Sequence, residues 1–338
     1  MVATTSETVA PPRRVLVAWS SDWGDVLRTL RFTLARVARP SDRITLAHVR
    51  VVDAHNGPAA LPVVEVAVPV SQMLALWHSG DVGPTSKAVA DACDKVQGAV
   101  AKLDAVELRT TLRVCDALLA YVRYVAPAEA PALLVMGSHG ARNVGTALWK
   151  VPHTSLDVAA GLTACGLVLA RPRQPEVWDA INHPVAMQSL PGKPLVVLAL
   201  DGSTPRSGLQ TEWALTHVIR PGDDICIVNR GDASDAALNA ELGRCETMLS
   251  SPGTGVSSVR IVRLRPDADI RDWLVDMSET GPSAQAGPPI AIVIGTRGES
   301  ASSLKRLVLG STAEYVLRMA ATTVVAIPPL VDLTPGSA

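Results

Sequence analysis

The sequence predicts an α/β protein of two tandem domains, each a five-stranded, mainly parallel sheet flanked by four helices. Three observations lead there. Apolar, β-branched runs alternate with helix-periodic segments along the chain, an order that requires parallel strands joined by right-handed crossovers. A strand-like run ending in Gly-x-x-Gly occurs twice, as LLVMGSHG closing at Gly137 and Gly140 and as AIVIGTRG closing at Gly295 and Gly298. The 338 residues also exceed the usual single core. The resulting boundaries are residues 1–172, a linker over 173–192, and 193–338.

In the first half, VLVAW (15–19) and ITLAHVRVV (44–52) read as strands, and the apolar spacing of residues 23–38 between them reads as a helix. Residues 86–103 follow as a helix, 106–114 as a strand, 116–126 as a helix and 132–137 as a buried strand. A helix over 154–163 and the strand GLVLA (166–170) complete the unit. The second half repeats the order, with strands at 194–200, 224–228, 256–264, 290–295 and 322–327. Its helices fall at 207–219, 234–249, 269–278 and 311–320. Residues 53–85 fit neither repeat. They are long for a loop, and VVEVAVPV within them is apolar enough to predict a packed excursion, with a lid or a partner-binding arm as alternatives.

Charge and composition exclude several classes. Residues 1–172 carry 17 Lys and Arg against 14 Asp and Glu, and the remainder carries 14 against 18, so neither half presents the basic surface of a nucleic-acid binder. Cys93, Cys115, Cys165, Cys226 and Cys245 stand singly, without the spacing of a zinc site or a disulfide framework. No apolar run approaches the ~18 residues of a membrane helix, and the N-terminus lacks the apolar core of a signal peptide. These features predict a soluble, cytoplasmic protein with reduced thiols and no membrane partner.

The candidate chemistry gathers in the second half, where ligands of open parallel sheets bind beyond the carboxyl ends of the strands. Asp201, Gly202 and Ser203 follow its first strand, placing a carboxylate where it can meet a sugar hydroxyl, an adenine amine or metal-bound water. Gly295 and Gly298 bracket the turn after its fourth strand, and glycine there lets backbone approach a ligand and adopts positive φ freely. Gly310 and Ser311 then open a helix whose unpaired amides and positive dipole end favour an anion, with the Ser311 and Thr312 hydroxyls as further donors. Ser311 equally suits a simple helix N-cap.

Gly-x-x-Gly, a spacer, then Gly-Ser/Thr, together with Asp-Gly-Ser after the first strand, LKRLVLGSTAEYVLRMA and the closing TTVVAIPP, resembles the ATP-binding universal stress proteins over nearly the whole chain. The resemblance implies two Rossmann-like domains. It further implies that Asp201, Gly202, Ser203, Gly295, Arg297, Gly298, Gly310, Ser311 and Thr312 hold an adenine nucleotide, ATP with or without Mg²⁺, while Val228 contacts the base through its backbone. Eleven residues separate Gly298 from Gly310, where the family has nine, so the phosphate loop must bulge. The first half departs further: Ser20, Ser21 and Asp22 replace Asp-Gly-Ser, and His153 and Thr154 replace Gly-Ser, with Lys150 and Pro152 altering the same corner. Weak or absent nucleotide binding is expected there.

Other candidates read as structural. Lys305 and Arg306 suit a solvated loop pair. His139 and His153 lack a carboxylate or cysteine at ligand spacing. The seven Trp residues have no basic stripe beside them and read as core or interface fillers. The resemblance to universal stress proteins implies nucleotide-dependent stress-response regulation through a protein partner. It also implies that the last strands of the two halves, GLVLA and TTVVAI, pair as an internal pseudo-dimer, with association of two chains as a homodimer a further expectation. Slow ATP hydrolysis or autophosphorylation at Ser311 is the enzymatic alternative, although no GxxxxGK[ST] pattern appears. A scaffold with two vestigial sites is the third.

Overall fold

The computed structural model describes residues 12–19, 23–52, 63–76, 84–124, 131–137, 157–159, 162, 165–171, 193–282, 287–296 and 310–328. The first-half strands are β1 (Arg14–Trp19), β2 (Arg43–Val51), β3 (Val64–Val68), β4 (Lys102–Thr110), β5 (Leu133–Gly137) and β6 (Gly166–Ala170). Its helices are α1 (Trp23–Phe32), continued by a wider turn over Thr33–Val37, α2 (Val70–Leu76), α3 (Pro84–Ala99) and α4 (Val114–Tyr124). The second half contributes β7 (Leu195–Ala199), α5 (Arg206–His217), β8 (Asp224–Arg230), α6 (Ala236–Leu249), β9 (Ser258–Leu264), α7 (Ile270–Thr280), β10 (Ala291–Gly295), α8 (Ser311–Met319) and β11 (Thr323–Ile327).

All eleven strands form one sheet, in the order β3-β4-β2-β1-β5-β6-β11-β10-β7-β8-β9. Without β3, each half has the order third-second-first-fourth-fifth and runs parallel throughout. That is the doubly wound arrangement the alternation of elements requires. The halves meet where β6 and β11 pair antiparallel, Val324 opposite Leu169 and Ala326 opposite Leu167, as the sequence led us to expect. Every residue of both strands is buried. Runs such as GLVLA and TVVAI carry no polar alternation because helices cover both faces of the sheet. One apolar cluster packs on each face: Val17, Leu46, Val135, Leu198 and Ile227 share one, Leu16, Ala47, Leu134, Val197 and Val228 the other.

Three segments depart from the sequence reading. The strand expected at 106–114 lies at Lys102–Thr110, and the helix before it stops at Ala99 rather than 103. The nine-residue parallel register with β2, from Arg43 opposite Lys102 to Val51 opposite Thr110, claims Lys102 and Leu103 for the sheet and overrides their helical spacing. Consequently α4 also begins two residues earlier than expected. The VVEVAVPV excursion is packed, but only in part. It supplies β3, an edge strand antiparallel to β4 with Val64 and Glu65 exposed, while Val68 and Val70 pack against one core cluster and Val63 against the other; ladder pairing on one side satisfies the backbone of an edge strand. The first half therefore has six strands, not five. Of the helix expected at 154–163 only 157–159, which are helical, and 162 are described, and the linker lies outside the described residues.

Below the β6–β11 pairing the halves are bound by a repeated turn, Val-x-Arg-Pro-x-Asp-x-Ile, at residues 37–44 and 218–225. In each copy the Asp side chain accepts from the Arg backbone amide three residues earlier, Asp42 from Arg39 and Asp223 from Arg220. The freed guanidinium then crosses to the opposite half: Arg220 donates to the Arg36 and Ala38 carbonyls, and Arg39 to that of Leu215. Arg36 forms a two-pronged ion pair with Asp223, both buried. Arg13 joins Asp42 to the Thr216 carbonyl and to His217 Nδ1. Trp213 packs on Gly166 so closely that a β-carbon at 166 would collide with its ring. Trp19 is likewise core. Trp77, Trp149 and Trp178 lie outside the described residues.

All five cysteines are buried and unpaired, and burial pushes the Cys93 and Cys165 thiols up to about 12. Among the described residues no helix is long and apolar enough to cross a membrane.

Candidate functional site

A cleft of about 470 Å³ opens beyond the carboxyl ends of β7, β8 and β10, lined in part by Leu200, Asp201, Asn229, Arg230, Gly295 and the first turn of α8. This is the switch point of the second half, where β7 sends its following helix to one face and β10 to the other. Asp201, Gly295, Gly310, Ser311 and Thr312, separated by up to 111 positions in sequence, all line it.

Asp201 sits in a tight local network. Its Oδ1 accepts from Ser203 N at 3.0 Å, Ser203 Oγ at 2.7 Å and Ser207 Oγ at 3.3 Å, and Oδ2 accepts from Arg206 Nη1 at 3.3 Å. The Asp-Gly-Ser turn thus aims the carboxylate before any ligand arrives. Gly202 and Ser203 shape that turn and do not line the cleft. Gly202 has φ +80°, and a β-carbon there would strike Leu238. The left-handed backbone expected around the Gly-x-x-Gly motif is therefore found at Gly202 and not at Gly295. Gly295 is required for space: a β-carbon would collide with Nε2 of Gln210, a buried side chain of α5 that lies across it and lines the cleft.

At the opposite wall, Gly310 precedes α8 with extended backbone and no side-chain cap. Its own amide donates to the Thr296 carbonyl at 2.7 Å and its carbonyl accepts from Glu314 N, so Gly310 anchors the helix to the end of β10. The following amides, Ser311, Thr312 and Ala313, form the open turn that faces the cleft. Ser311 is exposed and is not the N-cap residue. Val228 is fully buried and does not line the cleft; Asn229 and Arg230, the next two residues of β8, do. Arg297 and Gly298, with Lys305 and Arg306, lie outside the described residues.

The sequence reading missed Gln210, Asn229, Arg230, Asp269 and Arg271, all of which line the cleft. Asn229 is 1% exposed. Its Nδ2 donates to the Leu200 carbonyl at 2.8 Å while its Oδ1 is buried without a partner, as is Thr296 Oγ1 beside Gly295. A buried polar atom without a partner on a residue that lines a cleft, as Asn229 is, is unusual in a folded protein. Asp269 caps α7 through Arg271 N at 2.9 Å, and hydrogen bonds from the Arg271 side chain and amide hold its carboxyl down to about 2. The sequence reading placed Asp269 as the first residue of the helix 269–278, and an Asp ahead of a helical run is by itself only a capping signal.

Of the corresponding corner in the first half, only Gly137 and its neighbours on α1 are among the described residues. Gly137, the counterpart of Gly295, faces Thr29 Oγ1 and Asp25 of α1, which a β-carbon would approach at 3.0 and 3.1 Å. Asp25 is buried and ion-paired with Arg28. Ser20, Ser21, Asp22, His139, Gly140, Lys150, Pro152, His153 and Thr154 lie outside the described residues.

No protein-family model matches the sequence, and no curated protein matches it. Solved structures do. A universal stress protein from Archaeoglobus fulgidus DSM 4304 superposes over 94% of this chain and 97% of its own, with TM-score 0.52 and 14% identity. A functionally unknown protein from Pseudomonas aeruginosa PAO1 covers 94% and 93%, with TM-score 0.51 and 11% identity. The identities are far below what would transfer an activity, and they establish architecture alone. Taken with the strand order repeated on either side of the β6–β11 seam, they show that this chain has the universal stress protein fold, built twice in tandem.

Proposed function

We propose that the second half binds an adenine nucleotide, ATP above the others, in the cleft between Asp201 and the first turn of α8, and that occupancy is read by a protein partner in a stress response. The observation that carries this reading is the convergence of a pre-aimed carboxylate and an uncapped helix start across one cleft. Asp201 supplies acceptors for ribose hydroxyls, and the α8 amides with the Ser311 and Thr312 hydroxyls supply donors for phosphate oxygens. The unpartnered Asn229 Oδ1 lies on the base side as an acceptor for an exocyclic amine. Mg²⁺ would travel on the phosphates, since no group of three or more potential metal ligands occurs among the described residues.

Binding is favoured over turnover because both carboxylates of the cleft are engaged, Asp201 by Ser203, Ser207 and Arg206 and Asp269 by Arg271. Calorimetric titration of the full chain with ATP, with and without Mg²⁺, tests the reading. Binding that weakens at least tenfold in Asp201→Ala supports it, and absence of both heat and thermal stabilisation at millimolar ATP overturns it. Phosphate release that depends on Ser311 would replace it with the enzymatic alternative.

A further inference from the structure

On the reading of the cleft given above, Arg271 has a role that no sequence motif assigns. Its guanidinium is held on two sides. Asp269 takes one edge, through Nε at 3.0 and 3.1 Å and Nη2 at 2.5 Å. The ring of Tyr315 lies under its face, 5.5 Å from centroid to Cζ, and Tyr315 is itself fixed by donating to Asp272 Oδ1 at 3.0 Å. Tyr315 stands one helical turn after Ser311 on the same side of α8. The stack therefore ties the arginine of α7 to the helix start that faces the cleft, and Arg271 lines that cleft with Ser311 and Thr312. With Nε and Nη2 committed to Asp269, the Nη1 edge is the one left to a ligand among the described residues.

We propose that Arg271 is the specificity-determining residue of the cleft, reading a nucleotide's phosphate with its Nη1 edge and so favouring nucleoside di- and triphosphates over the bare nucleoside. A guanidinium clamped by a carboxylate below and a ring beneath loses little freedom when a phosphate arrives, and its planar fork suits phosphate oxygens. The dipole end of α8 supplies positive potential from the other side. Asp201 and Asn229, by contrast, address the sugar and base, which every member of the nucleotide series shares.

The experiment measures dissociation constants for ATP, ADP, AMP and adenosine by calorimetry on the full chain, for the wild type, Arg271→Met and Arg271→Lys. Arg265→Met, at a side chain 83% exposed and paired with Asp267, controls for net charge. Loss of a charge-assisted contact is expected to weaken ATP by about 10- to 100-fold in Arg271→Met while adenosine changes less than about twofold. Arg271→Lys, which keeps the charge but not the fork, should fall between, and Arg265→Met should match the wild type. An equal loss for ATP and adenosine in both Arg271 variants would make the residue a packing element and overturn the proposal. So would ATP binding that is indifferent to both. If the wild type binds none of the four, the reading of the cleft itself fails, a different result from a wild type that binds and variants that do not differ.

Discussion

His48 and Asn229 occupy the same place in the two halves. Each lies on the second strand of its unit, and each side chain bonds the carbonyl at the end of the first strand, His48 Nδ1 to Trp19 at 3.3 Å and Asn229 Nδ2 to Leu200 at 2.8 Å. A carbonyl oxygen only accepts, so Nδ1 of His48 carries the hydrogen. Burial lowers the His48 pKa, which keeps the ring neutral and the donor in place. One structural need, tethering the end of the central strand, is thus met by two different residue types.

It follows that His48→Asn should fold normally, because the amide can make the bond the ring makes. The thermal midpoint is expected to stay within about 3 °C of the wild type, and His48→Leu, which removes the donor, to fall by more, in line with about 1 kcal/mol for a lost hydrogen bond. Differential scanning calorimetry of the two variants compares them directly.

Gly295→Ala should damage the cleft more than the fold. The new methyl collides with Gln210 Nε2, the far end of a side chain that can swing, and the space into which it swings is the cleft. ATP affinity is expected to drop about tenfold while the urea midpoint moves little. The double change Gly295→Ala with Gln210→Ala should recover binding, as calorimetric titration would reveal.

The Arg36–Asp223 pair should be among the most sensitive contacts between the halves. Both side chains are buried, and Asp223 also receives Arg220 N at 2.8 Å. Removing one partner strands the other, so Asp223→Ala is expected to cost about 3–5 kcal/mol in urea unfolding. Replacing both residues by apolar ones should cost less than the sum of the single changes, which a double-mutant cycle measures.

Acid should loosen the same seam. Burial, with Arg13 and Arg39 adding repulsion and Asp42 opposing it weakly, lowers His217 from 6.5 to about 3. Arg13 Nη1 lies 3.0 Å from Nδ1 and the Trp213 ring at 4.5 Å, so the folded state holds the neutral ring. The unfolded chain binds the proton that the folded one refuses. The contribution is complete above about pH 6.5 and is lost as pH falls toward 3, by at most about 1.4 kcal/mol per pH unit. His217→Gln should flatten that slope in unfolding free energy measured from pH 7 to 4.

The sheet and the heart of the cleft were legible because they rest on local rules. Buried parallel strands advertise themselves as unbroken Val, Ile and Leu, and the cleft residues Asp201, Gly295 and Ser311 stand just after a strand, at a strand end and at a helix start, places that a local motif marks. Gln210, Asn229, Arg230 and Arg271 were not legible because nothing in their immediate sequence distinguishes them. Their place depends on which residue of β8 lies beside Leu200 and on how α7 leans against α8. The paired Val-x-Arg-Pro-x-Asp-x-Ile turns went unnoticed in the sequence, because a short polar repeat 181 positions apart gains its meaning only when the two copies face each other. The edge strand β3 was read only as a packed excursion: its valines announce partial burial, which Val63, Val68 and Val70 have, but not the ladder to β4 that makes it a strand.

The antiparallel junction of β6 and β11 has an outcome for assembly. By joining inside one polypeptide, the two lobes consume the very borders that separate subunits of this architecture would offer to one another. A second copy of the chain that sought to extend the ladder would have to attach along β3 or β9, the two outer strands of the eleven-stranded sheet. Like edge meeting like edge about a two-fold axis would close as a pair, whereas β3 meeting β9 would leave an edge open for the next copy.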